Sequence, residues 1–204
     1  MEDKRIVHIV DDEDAIRRSA GFMLKKSGFS VETWSSGVEF LKDVRNAAEG
    51  CILLDVRMPQ MDGLEVQKEL NERGIAMPVI ILTGHGDVSI AVSAMKAGAV
   101  DFIEKPFEKA VLLAAIESAF ERLADVEGRA TRAADATIRV AALSGREQDV
   151  LKGLAQGLPN KAIAYDLGIS PRTVEVHRAN VMTKLSVRSL SEALRIAFAA
   201  GVTG

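Results

Sequence analysis

Five short strand-like segments, at residues 6–10, 31–34, 51–54, 79–82 and 100–103, punctuate the first half of the chain, and helical spacing fills each interval between them. Runs of this length bounded by glycine, proline or acidic residues fit strands buried on both faces. Repeated strand–helix alternation leaves few arrangements other than a parallel sheet with helices on both sides. Ligands in such sheets bind at the carboxyl ends of the strands. Here those ends carry Asp11 and Asp12 after the first run, Asp55 after the third, Thr83 after the fourth and Lys105 just beyond the fifth. Residues far apart in sequence therefore converge on one crevice. Asp55 directly follows Cys51-Ile52-Leu53-Leu54, and an ionised group at the rim of such a core costs energy unless it is paired or binds a cation.

The helical segments are marked by Ile16, Ala20, Met23 and Leu24, with Gly28 as a C-terminal stop. Further segments carry Val38, Leu41 and Val44, then Leu64 and Leu70 after Asp62-Gly63. Gly84-His85-Gly86-Asp87 introduces a fourth helix at about 88–97, stopped by Gly98, and Val111, Leu112, Ala115, Ile116 and Ala119 mark a fifth. Taken singly, Asp11-Asp12 also suits a helix cap and Lys105 a solvated surface position. Their joint placement at strand ends is what points to a site.

Charge divides the chain. Residues 1–124 carry 15 Lys and Arg against 21 Asp and Glu, whereas residues 125–204 carry 11 against 8. An acidic first half and a mildly basic second half suggest two domains with different partners. The single cysteine, Cys51, excludes an internal disulfide and sits where a buried structural thiol belongs. No apolar run approaches the length of a membrane span, and the first five residues lack a signal peptide's apolar stretch, so a cytoplasmic protein without a membrane partner is expected.

Four segments in order, Val10-Asp11-Asp12-Glu13, Leu54-Asp55-Val56-Arg57-Met58-Pro59, Thr83-Gly84-His85-Gly86 and Glu104-Lys105-Pro106-Phe107, resemble the signature set of two-component receiver domains. The resemblance implies a flavodoxin-like (βα)5 fold for residues 1–123, with Asp55 accepting phosphate from a sensor histidine kinase. It also implies that Asp12, Asp55 and the Arg57 carbonyl hold Mg²⁺, that Asp11 reaches the ion through water, and that Thr83, Phe102 and Lys105 form the switch. The chemistry fits, because a carboxylate attacking phosphorus is repelled by the phosphoryl oxygens, and a hard cation and a fixed ammonium reduce that repulsion.

Residues 124–141 are rich in alanine and alternating charge, with a single glycine, and read as a partly helical linker. Beyond it, Ser144-Gly145-Arg146-Glu147 has the form of a capping box. A short helix at 160–167, a turn at Gly168-Ile169-Ser170 and Pro171 at the start of the next helix suggest a helix-turn-helix. The string Leu143-Ser144-Gly145-Arg146-Glu147, Asn160-Lys161-Ala162-Ile163-Ala164 and Ile169-Ser170-Pro171-Arg172-Thr173-Val174-Glu175-Val176-His177-Arg178 resembles the LuxR-type DNA-binding domain. This assigns residues 142–204 to a small all-α output domain and the whole chain to the NarL/FixJ response regulators. Residues 84–87, 95–107 and 169–182 resemble the branch that regulates nitrogen fixation, which implies a haem-based oxygen sensor as the partner kinase.

Within the second helix of that motif, Val174, Val181 and Leu185 recur at core spacing, which leaves Arg172, Thr173, Glu175, Val176, Ala179, Asn180 and Thr183 outward. Glu175, Val176 and Ala179 are expected to read base edges, and Lys161, Arg172, Arg178 and Lys184 to hold phosphates. His177 suits either a structural histidine or a phosphate contact. The last helix, about 189–200, bears Leu190, Ala193, Leu194 and Ala197; core packing explains part of this stripe, and in the resembling family Leu190 and Leu194 lie where output domains pair. A homodimer is expected on phosphorylation, with Ile90, Met95, Lys96, Asp101 and Glu104 on the receiver contact face. Promoter DNA and RNA polymerase are the further partners implied. The alternative from another class is a Mg²⁺-dependent phosphohydrolase with an aspartyl-phosphate intermediate. Its usual Asp-x-Asp-x-Thr/Val pattern is incomplete in Asp12-Glu13-Asp14-Ala15-Ile16.

Overall fold

The computed structural model describes residues 5–84, 88–124 and 129–202. The parts of the sequence motifs at residues 85–87 and of the linker at residues 125–128 lie outside these. The chain forms two compact units: Met1–His85 with Ala97–Asp125, and Gly86–Lys96 with Val126–Gly204.

The first unit is built on strands β1 (Ile6–Val10), β2 (Ser30–Trp34), β3 (Gly50–Asp55), β4 (Val79–Thr83) and β5 (Asp101–Glu104). All neighbours pair in parallel, in the order β2-β1-β3-β4-β5. Helices α1 (Asp14–Lys26), α2 (Gly37–Asp43), α3 (Gly63–Glu72) and α5 (Lys109–Ala124) cover the sheet. Strand alternation sorts the core. Val7, Ile9, Leu53, Ile80 and Leu82 join Leu24 of α1 and Leu112 and Ile116 of α5 in one buried cluster. On the other face His8, fully buried, packs its ring 5.7 Å from that of Phe40 of α2 at a tilt of 42°. His8 reads as one more member of an apolar run, yet its Nε2 lies 2.8 Å from the Ala48 carbonyl oxygen, and the Trp34 indole N–H donates to its Nδ1 at 3.4 Å.

Two close approaches position the end of β3. Gly50 pairs with Ile6, and a Cβ there would meet the Ile6 carbonyl. Gly63, the first residue of α3, donates its N–H to the Val56 carbonyl at 2.8 Å, and a Cβ there would strike the backbone oxygen of Asp55. Helix α3 starts in a complete capping box between Asp62 and Glu65, so its first turn is fixed against the β3 end.

Helix α4 (Val88–Lys96) groups with the second unit, although sequence order places it between β4 and β5. Its buried residues Ala91, Val92, Ala94 and Met95 span roughly 160° of the helix circumference, a wider arc than the minimal stripe of an amphipathic helix.

The remainder of the second unit comprises α6 (Arg129–Ala141), α7 (Gly145–Ala155), α8 (Asn160–Leu167), α9 (Pro171–Lys184) and α10 (Leu190–Ala199). Leu143, Leu151, Val181, Leu185, Ala193, Ile196 and Ala197 form its core, and Ala136 of α6 is buried among them. The helical part of the expected linker is thus also a packing element, and the Arg139 guanidinium donates to the Leu185 carbonyl. Gly168 turns α8 into α9 with φ at +64°, a conformation in which glycine avoids the Cβ penalty. Ser170 caps α9 by accepting from the Thr173 N–H at 3.1 Å.

Candidate functional site

The carboxyl ends of β1, β3, β4 and β5 bring Asp11, Asp55, Thr83 and Lys105 together. Asp11 and Thr83 are fully buried and Asp55 is 5% exposed. One carboxylate oxygen from each of Asp11, Asp12 and Asp55 lies within 4.8 Å of the others, with Asp12 exposed to solvent. The Lys105 ammonium bridges two of them, donating to Asp11 Oδ2 at 2.6 Å and to Asp55 Oδ1 at 2.7 Å. Its backbone N–H donates to the Thr83 carbonyl at 2.6 Å, which ties the ends of β4 and β5.

Burial is the main force on Asp55 and raises its pKa above the ordinary value; the Lys105 hydrogen bond and charge oppose this, Asp11 adds to it, and the Arg57 backbone N–H also favours the ionised form. For Lys105 burial acts downward, but hydrogen bonds to Asp11 and Asp55 outweigh it and hold the pKa above normal. The ammonium thus offsets part of the repulsion between carboxylates that burial would otherwise make prohibitive. The arrangement suits a carboxylate nucleophile beside a cation site: three clustered acidic oxygens with a fixed positive charge bridging two of them.

A family model described as "Response regulator receiver domain" matches residues 7–117, and one described as "Bacterial regulatory proteins, luxR family" matches residues 141–197. The chain belongs to the response regulator family. The regulator is 51% identical to the transcriptional regulatory protein FixJ of Azorhizobium caulinodans, over 99% of this chain and 96% of that protein. It is 52% identical to FixJ of Rhizobium meliloti, over 96% of each. Full-length FixJ from B. japonicum, a solved structure, is 46% identical with a TM-score of 0.59, covering 98% of this chain and 99% of that one. The regulator therefore couples a receiver to a LuxR-type DNA-binding domain, and its family acts as phosphorylation-dependent transcriptional regulators, with a sensor kinase and DNA as partners.

In the output half of the regulator, Arg172, Glu175, Val176 and Ala179 are exposed on α9, Val176 by 55% despite being apolar. Lys161 is exposed on α8 and Thr173 is half-buried, its hydroxyl 2.8 Å from that of Ser170. Arg178 donates to Asn160 at 2.9 Å, clamping α9 to the start of α8. His177 is half-buried with its Nδ1 shielded and unpartnered among the described residues, which leaves Nε2 as the nitrogen for any outward contact.

Three residues assigned roles from sequence have surroundings that the sequence did not reveal. Lys184, expected on a phosphate, has its ammonium 2.7 Å from Glu147, the capping-box acid of α7. Glu147 is 4% exposed and its pKa is lowered to about 2, first by the Lys184 hydrogen bond and then by the Ser144 backbone. Helical spacing cannot reveal this partner 37 residues away. Met95 and Leu194, expected on contact faces, are buried at 5% and 0% exposure, so neither is presented to a second copy in this conformation. Of the other expected contact residues, Lys96 and Glu104 are exposed, while Ile90, Asp101 and Leu190 are partly so, and Asp101 accepts from the Phe102 N–H at 2.8 Å. Phe102 itself is half-buried.

Proposed function

We propose that Asp55 is the phosphoacceptor: one of its carboxylate oxygens forms a P–O bond as the N–P bond of the kinase's phosphohistidine breaks. The observation that carries this is the Lys105 ammonium bridging Asp11 and Asp55, because it fixes a positive charge beside the nucleophile in a buried acidic pocket. Asp12, Asp55 and the Arg57 carbonyl would hold Mg²⁺, with Asp11 reaching it through water; the all-oxygen donor set suits a hard cation. When bound, that ion supplies neutralisation of phosphoryl oxygens. Asp55 must be ionised to attack, and Lys105 favours that state against the effect of burial. After transfer, Lys105 donates to the new phosphoryl group and the Thr83 hydroxyl is drawn toward it, with Phe102 filling the space behind.

Phosphorylation then promotes a homodimer, with Ile90, Lys96, Asp101 and Glu104 as the residues assigned to its contacts, of which Lys96 and Glu104 are exposed and of opposite charge. The paired output domains bind a two-fold promoter site, with Glu175, Val176 and Ala179 at base edges and Lys161 and Arg172 at phosphates. We place this activity in the cytoplasm and assign RNA polymerase as the downstream partner; no helix among the described residues is long and apolar enough to cross a membrane.

Intact-mass spectrometry after acetyl phosphate and Mg²⁺ tests the phosphoacceptor. One phosphoryl adduct per native chain and none in Asp55→Asn is expected, and a persistent adduct in the variant would refute the assignment. Sedimentation with beryllofluoride tests the dimer, which fails if the chain stays monomeric over a hundredfold concentration range.

A further inference from the structure

Resting on the reading of the acidic cluster as a divalent-cation site, we propose that Arg17 is a positioning residue that sets the cation affinity by holding the peptide between Asp11 and Asp12. Arg17 lies on α1, where helical spacing marks it as an ordinary polar position. Its side chain is nevertheless only 16% exposed. Nη1 donates to the Asp11 carbonyl oxygen at 2.6 Å, and Nη2 reaches Asp14 Oδ1 at 3.3 Å.

The contact completes a full set around Asp11. Its N–H donates to the Trp34 carbonyl at 3.2 Å. Its Oδ1 accepts from the Glu13 N–H at 2.9 Å, and its Oδ2 from Lys105 at 2.6 Å. Arg17 holds the remaining polar group, the carbonyl. A peptide unit is planar, so fixing that carbonyl also fixes the N–H and Cα of Asp12. Asp12 is exposed in the loop before α1, and its carboxylate is one of the three that cluster. Arg17 therefore aims Asp12 without touching the cation.

Charge and position oppose each other at this residue. As a cation close to the acidic cluster, Arg17 weakens the attraction for a second cation. As a donor to the loop, it removes freedom that Asp12 would lose on binding. Partners that orient metal ligands typically change affinity by about 10–100-fold when removed, so position should prevail. The rigid guanidinium fork serves two acceptors at once, which an ammonium does less well.

The test is a titration of the full chain with Mn²⁺, which takes the same oxygen ligands, free ion being counted by electron paramagnetic resonance at fixed ionic strength. Arg17→Met keeps the apolar stem and removes both charge and donors; its Kd is expected to rise about tenfold. Arg17→Lys is expected between the native protein and Arg17→Met, and it carries the comparison should the Met variant fail to fold. Arg18 is the control: 81% exposed and paired with Asp14 at 2.8 Å, it has the same charge one residue along without the carbonyl contact. Arg18→Met should bind as the native chain does. Native-like or tighter binding by Arg17→Met, native affinity in Arg17→Lys, or equal loosening by Arg18→Met would overturn the proposal. Failure of the native chain to take up Mn²⁺ would instead remove the cation-site reading beneath it.

Discussion

Replacing Lys105 by Met tests whether the ammonium holds the carboxylate cluster together or merely borders it. Lys105 serves Asp11 at 2.6 Å and Asp55 at 2.7 Å with only 11% of its side chain exposed. Removing one partner from a buried ion pair costs about 3–5 kcal/mol, because the other charge is left without compensation. Solvent reaches this rim through Asp12, so the lower end, about 3 kcal/mol, is the expected loss near neutral pH without divalent ions. For a unit of this size that corresponds to a fall in Tm of roughly 10 °C. Trp34, the single tryptophan, lies on β2, so its fluorescence follows the first unit through thermal unfolding. Magnesium should then rescue the variant. A site filled at 100 times its Kd gains about 2.7 kcal/mol, and the native chain should gain less because its own ammonium already occupies the cluster. The pH dependence has a definite sign. Lys105 has a raised folded pKa, so its contribution is complete below the unfolded value of 10.5 and is lost as pH rises through the folded value. The native protein should therefore approach the variant at strongly alkaline pH. A variant as stable as the native protein in chelator at pH 7, or one that gains no more from Mg²⁺, would refute the reasoning.

Gly63→Ala places a Cβ against the Asp55 carbonyl, and overpacking against backbone costs about 1–3 kcal/mol; urea unfolding should show that loss together with slower labelling by acetyl phosphate. Glu147→Gln should destabilise the second unit in a pH-dependent way. With a folded pKa of about 2 against an ordinary 4.5, Glu147 contributes stability above 4.5 that is lost as pH falls toward 2, so melting curves of variant and native should converge across that window. In DNA-binding titrations, Arg172→Ala should lower the slope of log K against log salt by about 0.9. Lys184→Ala should leave that slope unchanged, because its ammonium is held by Glu147.

Much of the receiver site was legible because parallel sheets gather their strand ends, so apolar runs terminated by Asp11, Asp55 and Thr83 reveal a crevice without any knowledge of strand order. The capping box at Ser144 was equally readable as a local pattern. Contacts set by tertiary distance were not. The grip of Arg17 on a backbone carbonyl leaves no trace in apolar periodicity. Lys184, expected from sequence on a phosphate, finds a buried acid on another helix. His8 interrupts an apolar run, and only the paired backbone reveals its indole and carbonyl neighbours. Helix α6 read as a partly helical linker because Ala136, which is buried against the core of the second unit, is too small to mark a face.

The hydrogen bond from the Lys105 N–H to the Thr83 carbonyl makes a strut between the two residues proposed to meet a phosphoryl group. Pulling the ammonium forward loads the peptide that carries the hydroxyl, and the reverse holds equally. Such a coupled pair measures shape as well as charge. A phosphoryl group presents three acceptor oxygens in a pyramid and can engage both arms together. A carboxylate presents two in a plane. The same single charge carried further out at position 55, as in Asp55→Glu, therefore draws on one arm and leaves the strut balanced against the other.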